Sequence, residues 1–376
     1  MKILQTEIYE EFECIGGNCP KTCCGGWTIS IDEKTYQMYS ELPEPERNWI
    51  LDKIKSENEK ELILNEDGRC PFLNEEGWCL VYRKIGPEAL SHICKFYPRL
   101  IHQYNDLITI TVSLACPEVA RIVLNKKNNI QVFYSENDDN LLSEDFDWIL
   151  YNELVNGLVL AIEILQNDSL SIVHKLLIVL DMAEIIDTCR EQNRIKDARD
   201  KLNKLLRPDN LAKRLFELDN LSVKMTNYGD FISSCFSIIK LAADNPNTRI
   251  FKDLYHPNFK GNKHFEHIKM EYEDFINNTI EYSNISMLIL FENWMKCLQG
   301  ESLYAIVSKI ILYLMILKTQ EIFSYNDKGE LTELNRTLLI SNLSKVLEHS
   351  QMVNILDELI VKNNGKTVYY DIVHFL

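Results

Sequence analysis

Eight of the chain's eleven cysteines (Cys14, Cys19, Cys23, Cys24, Cys70, Cys79, Cys94 and Cys116) fall within the first 116 of its 376 residues. Thiolates are ligands for zinc and for iron–sulfur clusters, so this crowding is the chain's clearest chemical signal. The first run reads Cys14-Ile-Gly-Gly-Asn-Cys19-Pro-Lys-Thr-Cys23-Cys24-Gly-Gly-Trp27. Intervals of three and four residues let thiols converge from a tight turn. The adjacent glycines tolerate φ > 0 and let backbone N–H groups face sulfur. Cys23 and Cys24 are vicinal, so their side chains are expected to diverge, one of them serving a second site or staying a free thiol. The second group begins at Cys70 and Cys79, read as a hairpin with a ligand on each arm and Glu75-Glu76-Gly77 at the turn. It continues through Cys94 to Cys116-Pro117.

Eight thiols support two four-thiolate sites, or one cluster with spare cysteines beside it. Residue types alone fit a zinc-stapled domain as well as an iron–sulfur site. Disulfides fit less well, because no secretory leader is expected from the polar Met1-Lys2-Ile3-Leu4-Gln5-Thr6-Glu7 start and the reducing cytosol is the expected compartment. Cys189, Cys235 and Cys297 lie in helical, apolar settings and read as buried free thiols. His92, two residues before Cys94, reads as a packed or surface histidine rather than a ligand. Trp27 and Trp78 each lie within three residues of a cysteine and are expected to shield a metal from water. Lys95, Arg99, Arg83 and Lys84 gather near the later cysteines, and Arg83 and Lys84 read as solvated surface charges. The sequence contains no G-x-G-x-x-G, Walker, H-E-x-x-H or G-x-S-x-G motif, nor the C-x3-C-x2-C of radical S-adenosylmethionine enzymes.

The elements that must position these thiols divide the chain in three. Residues 1–125 read as a cysteine-rich, loop-dominated metal-binding module that holds seven of thirteen glycines. Helical pieces are expected at Asp32–Lys55 and Pro87–Phe96, and a strand over Ile108–Ser113. Residues 126–146 are polar and acidic and read as a linker. Residues 147–376 show apolar i, i+3, i+4 spacing almost throughout, predicting helices over 146–165, 170–191, 195–206, 223–243, 268–278, 285–298, 302–322 and 331–361. The fold class expected is mainly α, with the helical part recognising a protein substrate. The most apolar stretch, Tyr304–Leu317, is short and carries Lys309, so no transmembrane segment is expected. A net charge of −16 argues against nonspecific nucleic-acid binding, which needs a basic footprint.

The cysteine motifs resemble those of the flagellin lysine-N-methylases, within the broader group of cysteine-cluster proteins taken as zinc- or iron-chelating. The likeness rests on Cys14-Ile-Gly-x-x-Cys19-x-x-x-Cys23-Cys24-x-x-Trp27, Cys70-Pro-Phe-Leu73, Cys94-x-x-Tyr97-Pro98-Arg99 and Ser113-Leu-x-Cys116. It extends more weakly to Phe291-Glu292-Asn293-Trp294 and Leu347-Glu348-His349. The resemblance implies methyl transfer from S-adenosylmethionine to lysine ε-amines of flagellin in the bacterial cytosol, with a cysteine-bound [4Fe-4S] cluster. Within it, Tyr97 is the candidate base that strips the lysine proton and Arg99 the candidate partner of the donor's carboxylate. The mechanism stays open between polar transfer and a cluster-assisted route. Two other classes compete: a zinc-stapled interaction adaptor and an iron–sulfur electron carrier.

Overall fold

The computed structural model of the chain describes residues 1–25, 28–55, 59–137, 146–220, 269–272, 279–328 and 330–349. The N-terminal strand β1 (Lys2–Thr6) runs straight into a short helix, α1 (Ile8–Glu11). The chain returns to the same sheet only at β4 (Arg99–Tyr104) and β5 (Leu107–Val112). Those two strands pair antiparallel from Tyr104↔Leu107, and Asn105 takes φ +56° in the two-residue turn between them. Asn tolerates that left-handed conformation better than most side chains, which suits so tight a hairpin. β1 pairs parallel with β5 on one side and antiparallel with β6 (Val132–Glu136) on the other. The sheet order is β4-β5-β1-β6.

The segment between α1 and β4 is therefore an excursion out of the sheet, and it builds a small core of its own. Ile29, Ile31, Tyr39, Ile50, Phe72 and Val81 are among its buried members. Its elements are short: α2 (Glu33–Glu41), α3 (Glu46–Leu51), β2 (Ile54–Lys55), β3 (Glu61–Leu62), α4 (Leu80–Lys84) and α5 (His92–Phe96). Asp32 caps α2 by accepting from Thr35 N at 3.0 Å, and it also accepts from His92 N at 2.8 Å, tying two elements together. The single helix expected over 32–55 is split, because Pro43 and Pro45 lack the N–H that a continuous helix needs. Over 87–96 a 3-10 turn at Pro87–Ala89 precedes α5.

After β5, α6 (Pro117–Asn125) leads to β6 and then to α7 (Trp148–Leu165) and α8 (Ile172–Glu191). Next come α9 (Ala198–Leu205), α10 (Pro208–Asp219), α11 (Thr279–Asn293), α12 (Leu303–Lys328) and α13 (Glu333–His349). Asp147 caps α7 through the N–H groups of Ile149 and Leu150, and Ser171 caps α8 through that of His174. Gly157 lets α7 approach closely: a Cβ there would stand 2.8 Å from Ile186 and 3.0 Å from Trp294. Trp294 in turn donates to Leu154 O at 2.9 Å. The expected helices over 223–243 and beyond 349 lie outside the described residues, as do most of 268–278 and Cys235.

The architecture is mainly helical, as expected, but two features of the three-part division differ. Residues 126–146 are not simply a linker, since Val132–Glu136 pairs with β1 along its length. The first 125 residues are not a separate body either. Ile8, Phe12, Leu107, Val112 and Val119 are buried in one continuous core with the helices α7 to α13. Two described helices, Trp148–Leu165 and Leu303–Tyr325, are apolar and long enough to cross a bilayer. They are 50% and 83% buried within this core, which accounts for their composition.

Candidate thiol site

The first four cysteines lie on the loop that leaves α1. A 3-10 turn at Gly16–Asn18 carries Gly16 at φ +56°, and Cys19 N donates back to Gly16 O at 3.1 Å. The indole of Trp78 lies directly on this turn: a Cβ at Gly16 or at Gly17 would stand 2.5 Å from it. Trp78 is 38% exposed and covers the loop from the solvent side. Trp27 lies outside the described residues.

Backbone pairing then fastens the loop to the second cysteine group. Cys70 N donates to Cys24 O at 2.8 Å, and Gly25 bridges to Arg69. A Cβ at Gly25 would stand 2.7 Å from Gly68 O, so glycine permits the approach. The hairpin expected between Cys70 and Cys79 is present. Leu73 bridges to Cys79, the Asn74 side chain accepts from Trp78 N at 2.7 Å, and Gly77 turns the chain at φ +78°. Cys79 is the N-cap of α4 and Cys116 the N-cap of α6, where Pro117 opens the helix. Each of these thiols accepts backbone N–H groups from the first turn beyond it, Val81 and Tyr82 for Cys79, Glu118 and Val119 for Cys116. Such an environment favours a thiolate.

Burial opposes that effect and dominates it. It pushes the Cys70 and Cys116 thiols up to about 12 and Cys94 to about 11, with neighbouring cysteines adding to the rise. Cys23 and Cys24 behave differently. Their side chains do not diverge as expected but hydrogen-bond to each other. The bond from Cys23 lowers Cys24 to about 7, helped by Thr22, Lys345 and Arg69, while Cys23 rises well above the ordinary thiol value.

A cation that the sequence did not point to stands beside the early thiols. Lys345, reaching in from α13, donates to Thr22 O at 3.4 Å and lies within electrostatic reach of Cys19, Cys23 and Cys24. Nothing in its helical surroundings marks it out in sequence. Lys95 and Arg83 instead pair with Glu88 and Glu76, and Lys84 lies over the Trp49 ring. Arg99 donates to Phe12 O at 3.1 Å and stacks over Tyr9 and Phe12, tying β4 to α1. Tyr97 is half-buried against the large core. His92 stacks on Phe96 with ring centroids 4.6 Å apart. Cys189 and Cys297 are buried, with Lys201 and Arg190 beside their sulfurs.

An open cleft of about 510 Å³ borders the thiols, lined by Glu11, Glu13, Cys14, Ile15, Asn18, Glu118, Arg121 and Ile122. Glu118 holds Arg121 through two hydrogen bonds of 2.6 and 2.9 Å, and Glu11 accepts from Lys126 at 2.5 Å, while Glu13 stands exposed on the cleft wall. Among the described residues, no three His, Cys, Asp or Glu side chains converge tightly enough to hold a single ion as they stand. What the fold does supply is a set of eight thiols on mutually fastened loops.

Residues 159–371 match the family model described as the FliB lysine N-methylase C-terminal domain. The flagellar biosynthetic protein FliU of Salmonella muenchen is 36% identical over 130 residues, 33% of this chain and 77% of that protein. Lysine-N-methylases of Salmonella typhimurium and Salmonella choleraesuis show the same identity over 130 residues, which span 32% of each. No solved structure matches the chain. With more than half its length inside that family model, the chain belongs to the FliB lysine N-methylase family.

Proposed function

We propose that this chain transfers a methyl group from S-adenosylmethionine to lysine ε-amines of flagellin, using an iron–sulfur cluster of the [4Fe-4S] type held by its N-terminal cysteines. The observation that carries the reading is the family match over residues 159–371. A relative named for flagellar biosynthesis supports a flagellar substrate and, with it, action in the bacterial cytosol. The donor set is chemically suited to the cluster: eight thiols, two of them at helix N-termini that favour thiolate, beside the cationic Lys345. When bound, such a cluster supplies a redox-active or electrophilic centre.

The protein's own residues account for the substrate side. A free lysine is protonated at neutral pH, with a reference pKa of about 10.4. Glu13, exposed on the cleft wall, attracts that ammonium, and Cys14 beside it places it next to the thiols. In transfer, the donor's sulfur–carbon bond breaks, a nitrogen–carbon bond forms, and the lysine proton must leave. Tyr97 remains the proposed base and Arg99 the proposed partner of the donor carboxylate. For Arg99 that role competes with its contacts to Phe12 and Tyr9. The test is mass spectrometry of flagellin after incubation with anaerobically reconstituted protein and S-adenosylmethionine. Lysines heavier by one methyl group are expected. No methylation by fully reconstituted protein, with and without reductant, would overturn the reading.

A further inference from the structure

The cleft beside the thiols presents a guanidinium, that of Arg121. It stands in the run Cys116-Pro117-Glu118-Val119-Ala120-Arg121, which starts α6. Glu118 and Arg121 lie about one helical turn apart, so their side chains share one side of that helix. Glu118 is 6% exposed, and it accepts from Arg121 Nε at 2.9 Å and from Arg121 Nη2 at 2.6 Å. A carboxylate so placed engages one edge of the guanidinium fork and fixes its plane. The other edge, Nη1 with the second Nη2 hydrogen, has no hydrogen-bond partner among the described residues, and the side chain is 48% exposed. Glu333 stands within electrostatic reach of Arg121 but accepts from Asn125 Nδ2 at 2.8 Å. Arg99, by contrast, is engaged within the fold, donating to Phe12 O and lying over the Tyr9 and Phe12 rings.

We propose that Arg121, in place of Arg99, binds the α-carboxylate of the methyl donor and so holds the amino-acid end of S-adenosylmethionine in the cleft beside Cys14. The inference rests on S-adenosylmethionine being the donor, and it deepens that reading by placing the donor on α6. The cleft's volume of about 510 Å³ suits it, since small-molecule sites run from about 300 to 1,000 Å³. Charge agrees as well. The donor carries a sulfonium, an ammonium and a carboxylate, and is a net cation. On the wall, Glu118 is matched by Arg121 and Glu11 by Lys126, which leaves Glu13 as the exposed carboxylate. A planar fork grips a carboxylate through two parallel hydrogen bonds, a geometry that a lysine cannot copy. With the donor's carboxylate on Arg121 and the substrate ammonium drawn to Glu13, both reactants share one cleft, as transfer between them requires.

The experiment uses full-length protein purified anaerobically and titration calorimetry with S-adenosylmethionine and with its decarboxylated analogue, so that no turnover is needed. Wild type should bind the donor roughly 10- to 100-fold more tightly than the analogue, as one charge-assisted pair provides. Arg121→Gln should bind the two almost equally, and Arg121→Lys should recover only part of the preference. A second measurement needs no variant: in wild type the donor, but not the analogue, should shield Arg121 from phenylglyoxal, mapped by mass spectrometry. A preference retained in Arg121→Gln, or lost in Arg99→Gln alone, would overturn the assignment, as would an Arg121 equally reactive with and without the donor. In each of those cases the donor itself would stand. A wild type that binds no S-adenosylmethionine would overturn both the assignment and the donor.

Discussion

Gly17 and Trp78 are separated by a hairpin and a core, yet their contact closes the thiol loop. An alanine Cβ at Gly17 would meet the indole at 2.5 Å and the backbone oxygen of Glu76 at 2.9 Å. The indole can swing outward, but the Glu76 carbonyl cannot follow without opening the turn that carries Cys79. Gly17→Ala should therefore cost roughly 1–3 kcal/mol, typical of overpacking, and lower the metal retained per chain. Urea unfolding followed by tryptophan emission checks both the midpoint and the displacement of Trp78. An unchanged midpoint with unchanged emission would remove the contact from the account. At this scale the sequence was informative about which atoms matter and poor about how they meet. The crowding of the cysteines and the Glu75-Glu76-Gly77 turn were legible from local pattern. Lys345 was not, because it arrives from a helix more than 300 residues away and its neighbours in sequence give no sign of its destination. The Cys23–Cys24 contact was also missed: these vicinal side chains hydrogen-bond to each other instead of diverging.

Among the helices, α11, α12 and α13 are joined by a buried polar network rather than by apolar contact alone. Arg336 on α13 donates to Glu321 of α12 at 2.9 Å and pairs with Glu281 of α11. Tyr272 and Tyr282 each donate a hydroxyl to Glu321 at 2.6 Å. Removing the cation leaves two carboxylates in a dry interior, so Arg336→Met should destabilise by about 3–5 kcal/mol at neutral pH. The pH dependence has a definite sign. Burial holds Glu281 above its ordinary carboxyl value even with Arg336 present. A raised carboxyl favours the folded state below its unfolded pKa, about 4.3, and that contribution is lost as pH rises through the folded value. Without Arg336 the folded value rises further. The variant's deficit should then be larger at pH 7 than at pH 4.5, measured by urea unfolding at both. A deficit independent of pH would mean that the carboxylates are not what the arginine compensates. Helix periodicity made most of these elements legible, since their apolar faces repeat within a single turn or two. The sheet was not legible beyond β5, because β1 and β6 pair with strands that are distant in sequence and the strand formers Val132, Phe133 and Tyr134 of β6 stand alone in an otherwise polar stretch. Helix α10 went unrecognised despite Pro208 at its first position.

At the scale of the whole molecule, the cysteine region and the helical region form one folding unit, because the sheet that carries the first is built into the core of the second. The sequence suggested that residues 1–125 stand alone as a ligation-held module, with residues from 147 onward recognising substrate. In the structure β1 has β5 on one side and β6 on the other, and β6 lies beyond residue 125. Ile8, Leu107, Val112 and Val119 are buried in the same continuous core as Leu158, Leu177 and Ile311. Fully burying each such side chain is worth about 1.5–3 kcal/mol, so cutting the helices away uncovers several of them at once. That loss is large beside the 5–15 kcal/mol that separates a folded domain from its unfolded chain. Among the described residues, the small core around Phe72 and Tyr39 is a cluster separate from that of the helices, and Cys24, Cys70 and Cys79 belong to it. A fragment of residues 1–126 should accordingly lack a cooperative unfolding transition, while one of residues 13–98 should keep whatever order metal ligation confers on the small core. Thermal melts followed by circular dichroism, with and without metal, distinguish the cases. A sharp transition from residues 1–126 alone would show that the cysteine region folds without the helices, and the shared core would then be an interface between two independent domains.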